Sequence, residues 1–161
     1  MQKDLVAVVT IRKGSQRVKN KNFRYFAGKN LLKHKIEVLK KVKKLDDIII
    51  NTDSEEAIET AKDYGVSFER REDYFASAEC SNSDFWENIA LNTKSKFILF
   101  THCTNPIIKV KTYDDIIKIF EETKNKHDSI NTVNEVKEFL YLENKPLNFD
   151  PEKAPGSQNL P

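Results

Sequence analysis

The feature that most constrains the fold is a continuous apolar run near the start of the chain, Leu5–Thr10, which is rich in valine. A run without polar alternation predicts a strand that is buried on both faces, as in the interior of a parallel sheet. Other short apolar segments predict four further strands, at 48–50, 66–69, 97–100 and 129–133.

Helices are predicted between these strands, because apolar residues recur there with a period close to that of an α-helix. The predicted helices cover 31–44, 54–64, 83–91 and 112–126. We expect Asp53 and Glu56 to form a capping pair at the start of the second helix, and Gly65 to end it.

The alternation of strands and helices predicts an α/β fold of three layers, with a mainly parallel sheet, helices on both faces and a Rossmann-like arrangement. The length of 161 residues predicts a single domain over 1–161. Ligands of such sheets bind beyond the carboxyl ends of the strands. We therefore expect the functional site in the loops at 11–22, 51–54 and 102–111.

The composition argues against several other classes of protein. The net charge is only +2, so no overall field indicates binding to nucleic acid or to a membrane. We find no segment with the apolar length of a membrane span and no secretory signal. The two cysteines, Cys80 and Cys103, lack metal-type spacing and favour a reducing, cytoplasmic location.

A basic loop follows the first strand, at the position where α/β proteins bind phosphates. It contains Arg12-Lys13-Gly14-Ser15 and, further on, Lys21-Asn22. Glycine and serine permit a close approach of backbone N–H groups to an anion, and the cationic side chains neutralise phosphate oxygens. The alternative is a solvated basic loop without a ligand.

Two well-known phosphate-binding motifs are absent from the sequence. The four glycines fit neither GxxxxGKS/T nor GxGxxG. Their absence argues against kinase, GTPase and dinucleotide-dehydrogenase functions.

Four short blocks occur in order along the chain. They are Arg12-Lys13-Gly14-Ser15-x-Arg17-x-x-x-Lys21-Asn22 with Ala27-Gly28-Lys29-x-Leu31, then Asn51–Glu56, Thr104–Ile107 and Gln158-x-Leu160-Pro161. Together they resemble the signature of the CMP–sialic acid synthetase (acylneuraminate cytidylyltransferase) family. The resemblance implies a nucleotide-diphospho-sugar transferase-like fold. As function it implies transfer of CMP from CTP to a nonulosonic, sialic-acid-like sugar, with release of pyrophosphate.

The resemblance also implies roles for individual residues. Catalysis of this kind depends mostly on positioning and charge neutralisation, and Arg12 and Lys21 are the catalytic candidates. The candidates for nucleotide binding are Arg12, Gly14, Ser15, Lys21, Asn22, Arg70 and Ser81. The candidates for binding the acceptor sugar are His102, Thr104 and Gln158.

Several of these residues have a competing interpretation. Arg71 stands one position from Arg70, and either arginine is equally consistent with a surface charge. Ser81 precedes a predicted helix, so helix capping explains it as well as nucleotide binding does. His102 either bonds the sugar or fills space.

The implied cofactor is Mg²⁺, and the implied partners are CTP, an acidic sugar and, for a full-length protein, a second copy of the chain in a homodimer. The resemblance places the metal-binding carboxylates and much of the dimer contact after Pro161, so no metal ligand is assigned here. We therefore expect a C-terminally incomplete chain that binds nucleotide but turns over poorly by itself.

Four positions depart from the family pattern. Thr10-Ile11 stand in place of Pro-Ala, His102 in place of Gln, and Ser157 in place of Arg. Two alternatives stay open. One is a cytidylyltransferase for the eight-carbon acid of lipopolysaccharide, and the other is a non-catalytic CTP-binding or regulatory domain.

Overall fold

A computed structural model describes residues 3–15 and 18–160 of the chain. It separates into two compact units, one up to Thr123 and one from Lys124 onward. Each unit is described by itself, and the single domain expected over 1–161 stays a prediction.

The strands of the first unit are β1 (Lys3–Ile11), β2 (Tyr25–Phe26), β3 (Lys29–Asn30), β4 (Asp47–Thr52), β5 (Ser67–Arg70) and β6 (Ser95–His102). Its helices are α1 (Leu31–Leu39), α2 (Glu55–Asp63), α3 (Asp73–Ala76), α4 (Asn82–Asn92) and α5 (Val110–Thr123). The main sheet has the order β5-β4-β1-β6, and all of its neighbouring strands are parallel. β2 and β3 form a small antiparallel pair.

The sheet is covered by helices on both faces, which confirms the predicted three-layer α/β fold. Ala7, Val9 and Ile11 of β1 pack in one buried cluster with residues of α1, α2 and α5. Val6 and Val8 point to the other face and pack with Ile89 of α4. This alternation explains why the whole run of β1 is apolar.

The prediction for the start of α2 is wrong, and the prediction for its end is confirmed. Ser54, and not Asp53, occupies the N-cap of α2, so the predicted capping pair of Asp53 and Glu56 is wrong. The Asp53 carboxylate binds the basic loop instead. Gly65 has a left-handed φ of 61°. The N–H groups of Gly65 and Val66 donate to the carbonyls of Lys62 and Ala61, which is the Schellman ending expected of a glycine at this position.

The second unit corrects another prediction. Residues 129–133 form no strand, and Val133 is 87% exposed. A short apolar segment becomes a strand only where a neighbouring strand supplies backbone partners, and no described strand pairs with this one. The unit contains the hairpin strands β7 (Tyr141–Leu142) and β8 (Lys145–Pro146) and two 3₁₀ turns, Pro151–Lys153 and Ser157–Asn159. None of the described helices has the length and apolar character of a membrane span.

Candidate nucleotide-binding site

The carboxyl ends of the central strands meet at one edge of the sheet because the strands are parallel. Ile11 at the end of β1 pairs with Thr52 at the end of β4, and Thr10 pairs with His102 at the end of β6. The three loops predicted to carry function therefore lie side by side.

Two cavities lie along this edge. The first, which we call the α2 cavity, has a volume of about 360 Å³ and includes Gly14, Asp53 and Glu56 in its wall. The second, which we call the β6 cavity, has a volume of about 810 Å³ and is lined in part by Lys21 and by residues 102–104. Both are lined by Arg12, Ser15 and Asn22. The basic loop thus separates two adjacent spaces and contributes side chains to each.

The basic loop is held in place by an acidic side chain of the neighbouring strand end. The backbone N–H of Lys13 donates to Oδ1 of Asp53 at 2.7 Å. Gly14 follows with a φ of 74°, in the left-handed region that disfavours a side chain. A Cβ at Gly14 would meet no atom within 4 Å. The glycine is therefore required by the turn of the loop and not by crowding.

Two cationic side chains of this edge, those of Arg12 and Lys21, lack acidic partners among the described residues. There the guanidinium of Arg12 makes only long contacts, 3.3 Å to the carbonyl of Ala76 and 3.4 Å to that of Ser77. Lys21 is exposed, and its side chain forms no hydrogen bond or ion pair with any residue that the structure describes. Two uncompensated positive charges beside a cavity favour the binding of an anion.

Asn22 is the polar residue that both cavities share. It lies in the 3₁₀ turn Lys21–Phe23, is only 8% exposed, and its side chain has no hydrogen-bond partner among the described residues. Asn22 lines both cavities, so the unused donors and acceptor of its amide are available to the space that a ligand would occupy. Asn22 is therefore poised to exchange hydrogen bonds with a ligand that enters either cavity.

The two adjacent arginines after β5 have different surroundings. Arg70 is exposed and forms a bidentate ion pair with Glu55, at 2.6 and 2.9 Å. Arg71 is 6% exposed and donates to the side-chain and backbone oxygens of Asn51, at 2.7 and 2.9 Å. Its guanidinium lies 4.8 Å from the ring centre of Phe85. Burial lowers the pKa of Arg71, and the nearby charge of Asp53 opposes this shift. Arg71 is thus the arginine that the fold turns inward, while a nucleotide contact of Arg70 stays a prediction.

Ser81 has the capping role that competes with its predicted nucleotide contact. Its hydroxyl accepts a hydrogen bond from the backbone N–H of Asp84 at 3.1 Å, at the start of α4. Ser81 lines neither of the two cavities. Its predicted role in nucleotide binding has no further support from this geometry.

The wall of the β6 cavity brings together two of the three predicted acceptor residues, His102 and Thr104. Burial lowers the pKa of His102, and the positive charges of Lys35 and Lys21 lower it further. A neutral imidazole offers one donor and one acceptor to a ligand. Cys103, which lies between His102 and Thr104 in the sequence, is buried. Burial raises the pKa of its thiol to about 12, so the sulfur is not a nucleophile at neutral pH.

Two residues of the resemblance cannot be related to these cavities. Gln158 lies in the 3₁₀ turn Ser157–Asn159 of the second unit. Arg17 lies outside the described residues. The acceptor role of Gln158 stays a prediction.

The described residues do not provide a complete metal site. Nowhere in the described ranges do three or more His, Cys, Asp or Glu side chains come together in a way that could hold a metal ion. At the site edge, Asp53 already accepts the Lys13 N–H. A magnesium ion bound here would therefore be held largely by water and by its ligand's own oxygens.

These features define a class of protein: an α/β protein with a basic edge, suited to an anion, at the carboxyl ends of a parallel sheet. The sequence profile of the family described as cytidylyltransferase matches residues 6–160. The chain therefore belongs to the cytidylyltransferase family.

Individual relatives agree with this assignment. The chain is similar to an N-acylneuraminate cytidylyltransferase of Escherichia coli, with 25% identity over 122 residues, which covers 75% of this chain and 29% of the relative. It is also similar to a Helicobacter pylori protein described as pseudaminic acid cytidylyltransferase and UDP-2,4-diacetamido-2,4,6-trideoxy-beta-L-altropyranose hydrolase. That match has 41% identity over 63 residues and covers 39% of this chain and 12% of the relative.

Among solved structures, the fold matches that of a CMP:2-keto-3-deoxy-manno-octonic acid synthetase complexed with CTP. The TM-score is 0.64 and the identity 16%, over 75% of this chain and 48% of the other. The present chain thus spans less than half the length of each of these three proteins.

Proposed function

We propose that this chain binds CTP at the carboxyl edge of its sheet and takes part in transferring CMP to an acidic, nonulosonic sugar. The observation that carries the proposal is the arrangement around Asn22. Asn22 is mostly buried, lines both cavities, and its amide has no hydrogen-bond partner among the described residues; the charges of Arg12 and Lys21 lie beside it. This arrangement occurs in a chain of the cytidylyltransferase family.

The proposed chemistry assigns a separate task to each part of the loop. Arg12 and Lys21 neutralise the triphosphate, and the backbone N–H groups near Gly14 and Ser15 add hydrogen bonds to its oxygens. Asn22 supplies the paired donor and acceptor that a cytosine edge requires. We place the acceptor sugar in the β6 cavity, against His102 and Thr104.

In the proposed reaction an acceptor hydroxyl attacks the α-phosphorus of CTP. A new oxygen–phosphorus bond forms as the bond to the β-phosphate bridge breaks, and pyrophosphate leaves while the hydroxyl loses its proton. Negative charge spreads over the oxygens during the transfer, and fixed cations lower the barrier by stabilising that charge. Mg²⁺ is the proposed cofactor, although the described residues do not complete a site for it.

A second candidate function is a non-catalytic CTP-binding domain. The lack of a carboxylate cluster among the described residues favours it. A measurement of pyrophosphate release distinguishes the two candidates. CTP, magnesium and a panel of sialic, legionaminic, pseudaminic and eight-carbon acids are supplied in turn. Release that depends on one acid supports the transferase, whereas CTP binding without release with any acid supports the binding domain.

The remaining expectations about the protein are also proposals. They are assembly into a homodimer, a cytoplasmic location, and no nucleic acid or membrane among its partners. Light scattering of the purified protein tests the first of them.

A further inference from the structure

Lys35 is buried in the core of the first unit, where a lysine is unusual. It lies on α1 and is 1% exposed, between the core residues Leu32, Ile36 and Leu39 of the same helix. Lysine is almost never fully buried unless it is paired, because its charge loses the stabilisation that water provides. No carboxylate contacts Lys35 among the described residues.

The ammonium group of Lys35 instead donates to three uncharged oxygens. It lies 2.7 Å from the hydroxyl of Tyr113, 3.1 Å from the backbone carbonyl of Asn105 and 3.4 Å from the hydroxyl of Thr101. The hydroxyls of Thr101 and Tyr113 are also 2.8 Å apart. The three N–H donors of the lysine are thereby matched by three acceptors.

Two of these acceptors flank, along the chain, the segment 102–104 that forms part of the wall of the β6 cavity. Thr101 comes directly before residues 102–104, and Asn105 comes directly after them. Tyr113 anchors the same group to α5. One side chain of α1 therefore ties down both ends of the three-residue segment that faces the cavity.

No ion pair among the described residues offsets the unfavourable free energy of burying the Lys35 charge. Burial lowers the pKa of Lys35 to about 8, and the titratable groups near it are Tyr113, Cys103 and His102. Tyr113 and Cys103 have pKa values raised by burial, so they stay neutral at physiological pH. An apolar side chain of the same volume would avoid this cost, so stability alone does not explain a lysine here.

We infer that Lys35 is a positioning residue for the acceptor pocket: it holds the segment 102–104 in the shape that receives the sugar. The inference rests on the proposed function, because it takes the β6 cavity as the acceptor site. Lys35 does not touch the acceptor. It acts through Thr101 and Asn105, and its positive charge also lowers the pKa of His102.

The test compares Lys35→Met with Lys35→Arg and with the control Lys33→Met, on the same helix. We expect Lys35→Met to raise the KM for the acceptor about tenfold, which corresponds to one lost hydrogen bond to a charged group. The affinity for CTP should change by less than about twofold, because the basic loop is untouched. Lys35→Arg should recover part of the loss, and Lys33→Met should behave like the unaltered protein.

A second readout does not depend on turnover. Hydrogen exchange of the free protein, followed in a peptide that covers the end of β6 and residues 103–105, should be faster in Lys35→Met than in Lys33→Met. Thr101→Val should have the same effect, because it removes one tether and leaves the lysine in place. If Lys35→Met does not fold, Thr101→Val provides the comparison.

The two readouts separate the possible failures. Unchanged exchange in Lys35→Met and Thr101→Val would overturn the positioning role, whatever the activity. Equal rises in KM for CTP and for the acceptor would overturn it as well, because they would indicate general damage. Faster exchange in a protein that uses no acidic sugar would support the tether and count against the proposed function alone.

Discussion

The carboxylate of Asp53 accepts a hydrogen bond from the backbone N–H of Lys13 at 2.7 Å. This contact joins the residue after β4 to the loop that carries Arg12 and Gly14. The shape of the candidate phosphate site therefore depends on an acidic residue, although the proposed ligand is an anion.

The first prediction concerns that contact. Asp53→Ala should weaken CTP binding by about 1 kcal/mol, the typical contribution of one hydrogen bond. Asp53→Asn keeps an acceptor oxygen and removes a negative charge near the triphosphate, so it should bind CTP at least as tightly as the unaltered protein. Calorimetric titration measures both. Glu59→Ala, on the exposed side of α2, is the control. A comparable loss in both variants that appears only when magnesium is present would instead identify Asp53 as a metal ligand.

The second prediction concerns the uncompensated charge of Arg12. Arg12→Ala should weaken triphosphate binding by about 1.5–3 kcal/mol, the typical value of a hydrogen bond to a charged group. Lys33→Ala should leave binding almost unchanged, because Lys33 lies on α1 and lines neither cavity. Equal losses in the two variants would indicate a diffuse basic surface in place of a site.

The third prediction concerns the adjacent arginines. Arg71→Ala leaves the side-chain and backbone oxygens of Asn51 without their buried donor, so it should reduce the free energy of unfolding by about 2–3 kcal/mol. Arg70→Ala removes only an exposed ion pair with Glu55 and should cost less than about 1 kcal/mol. Urea denaturation measures both variants. The reverse order would contradict the placement of Arg71 as the buried arginine.

The fourth prediction concerns the pH dependence of stability. Burial lowers the pKa of Lys35 from 10.5 to about 8 in the folded state. Between these values the unfolded chain holds more protons, so the stability contributed by Lys35 rises with pH and is lost as pH falls through the folded value.

The measurement for this prediction is the difference in unfolding free energy between the unaltered protein and Lys35→Met. From about pH 7 to about pH 10, the free energy of unfolding of the unaltered protein should increase relative to that of Lys35→Met. Tyr113 and Cys103 are present in both proteins, which limits their effect on the comparison. A difference that is independent of pH would show that Lys35 keeps its ordinary pKa.

The sequence predicts the layers of the fold well because burial on two faces leaves a clear pattern. The apolar run of β1 and the helical spacing of α1, α2, α4 and α5 follow directly from the faces that they bury. The basic loop was also predictable, since Gly14 and its cationic neighbours stand directly after β1. Residues 129–133 show the limit of this reasoning. An apolar segment does not reveal whether a partner strand is present.

The details of the site depended on contacts that a sequence pattern does not contain. Arg70 and Arg71 are adjacent, and only the observed geometry shows which of them turns inward. The bond between Asp53 and Lys13 joins residues 40 positions apart. Lys35 did leave a signal, because it shares the helical face of Leu32, Ile36 and Leu39. A lysine within an apolar stripe indicates a buried charge that needs an explanation.

Nucleotide selectivity tests whether the edge formed by β1, β4 and β6 is a CTP site. CTP, UTP, ATP and GTP are titrated in turn, with magnesium, into the unaltered protein and into Arg12→Ala. We expect CTP to bind at least about tenfold more tightly than the other three, a difference of about 1.4 kcal/mol, and Arg12→Ala to weaken its binding. Binding of ATP as tight as that of CTP, or CTP binding that Arg12→Ala leaves unchanged, would contradict this expectation.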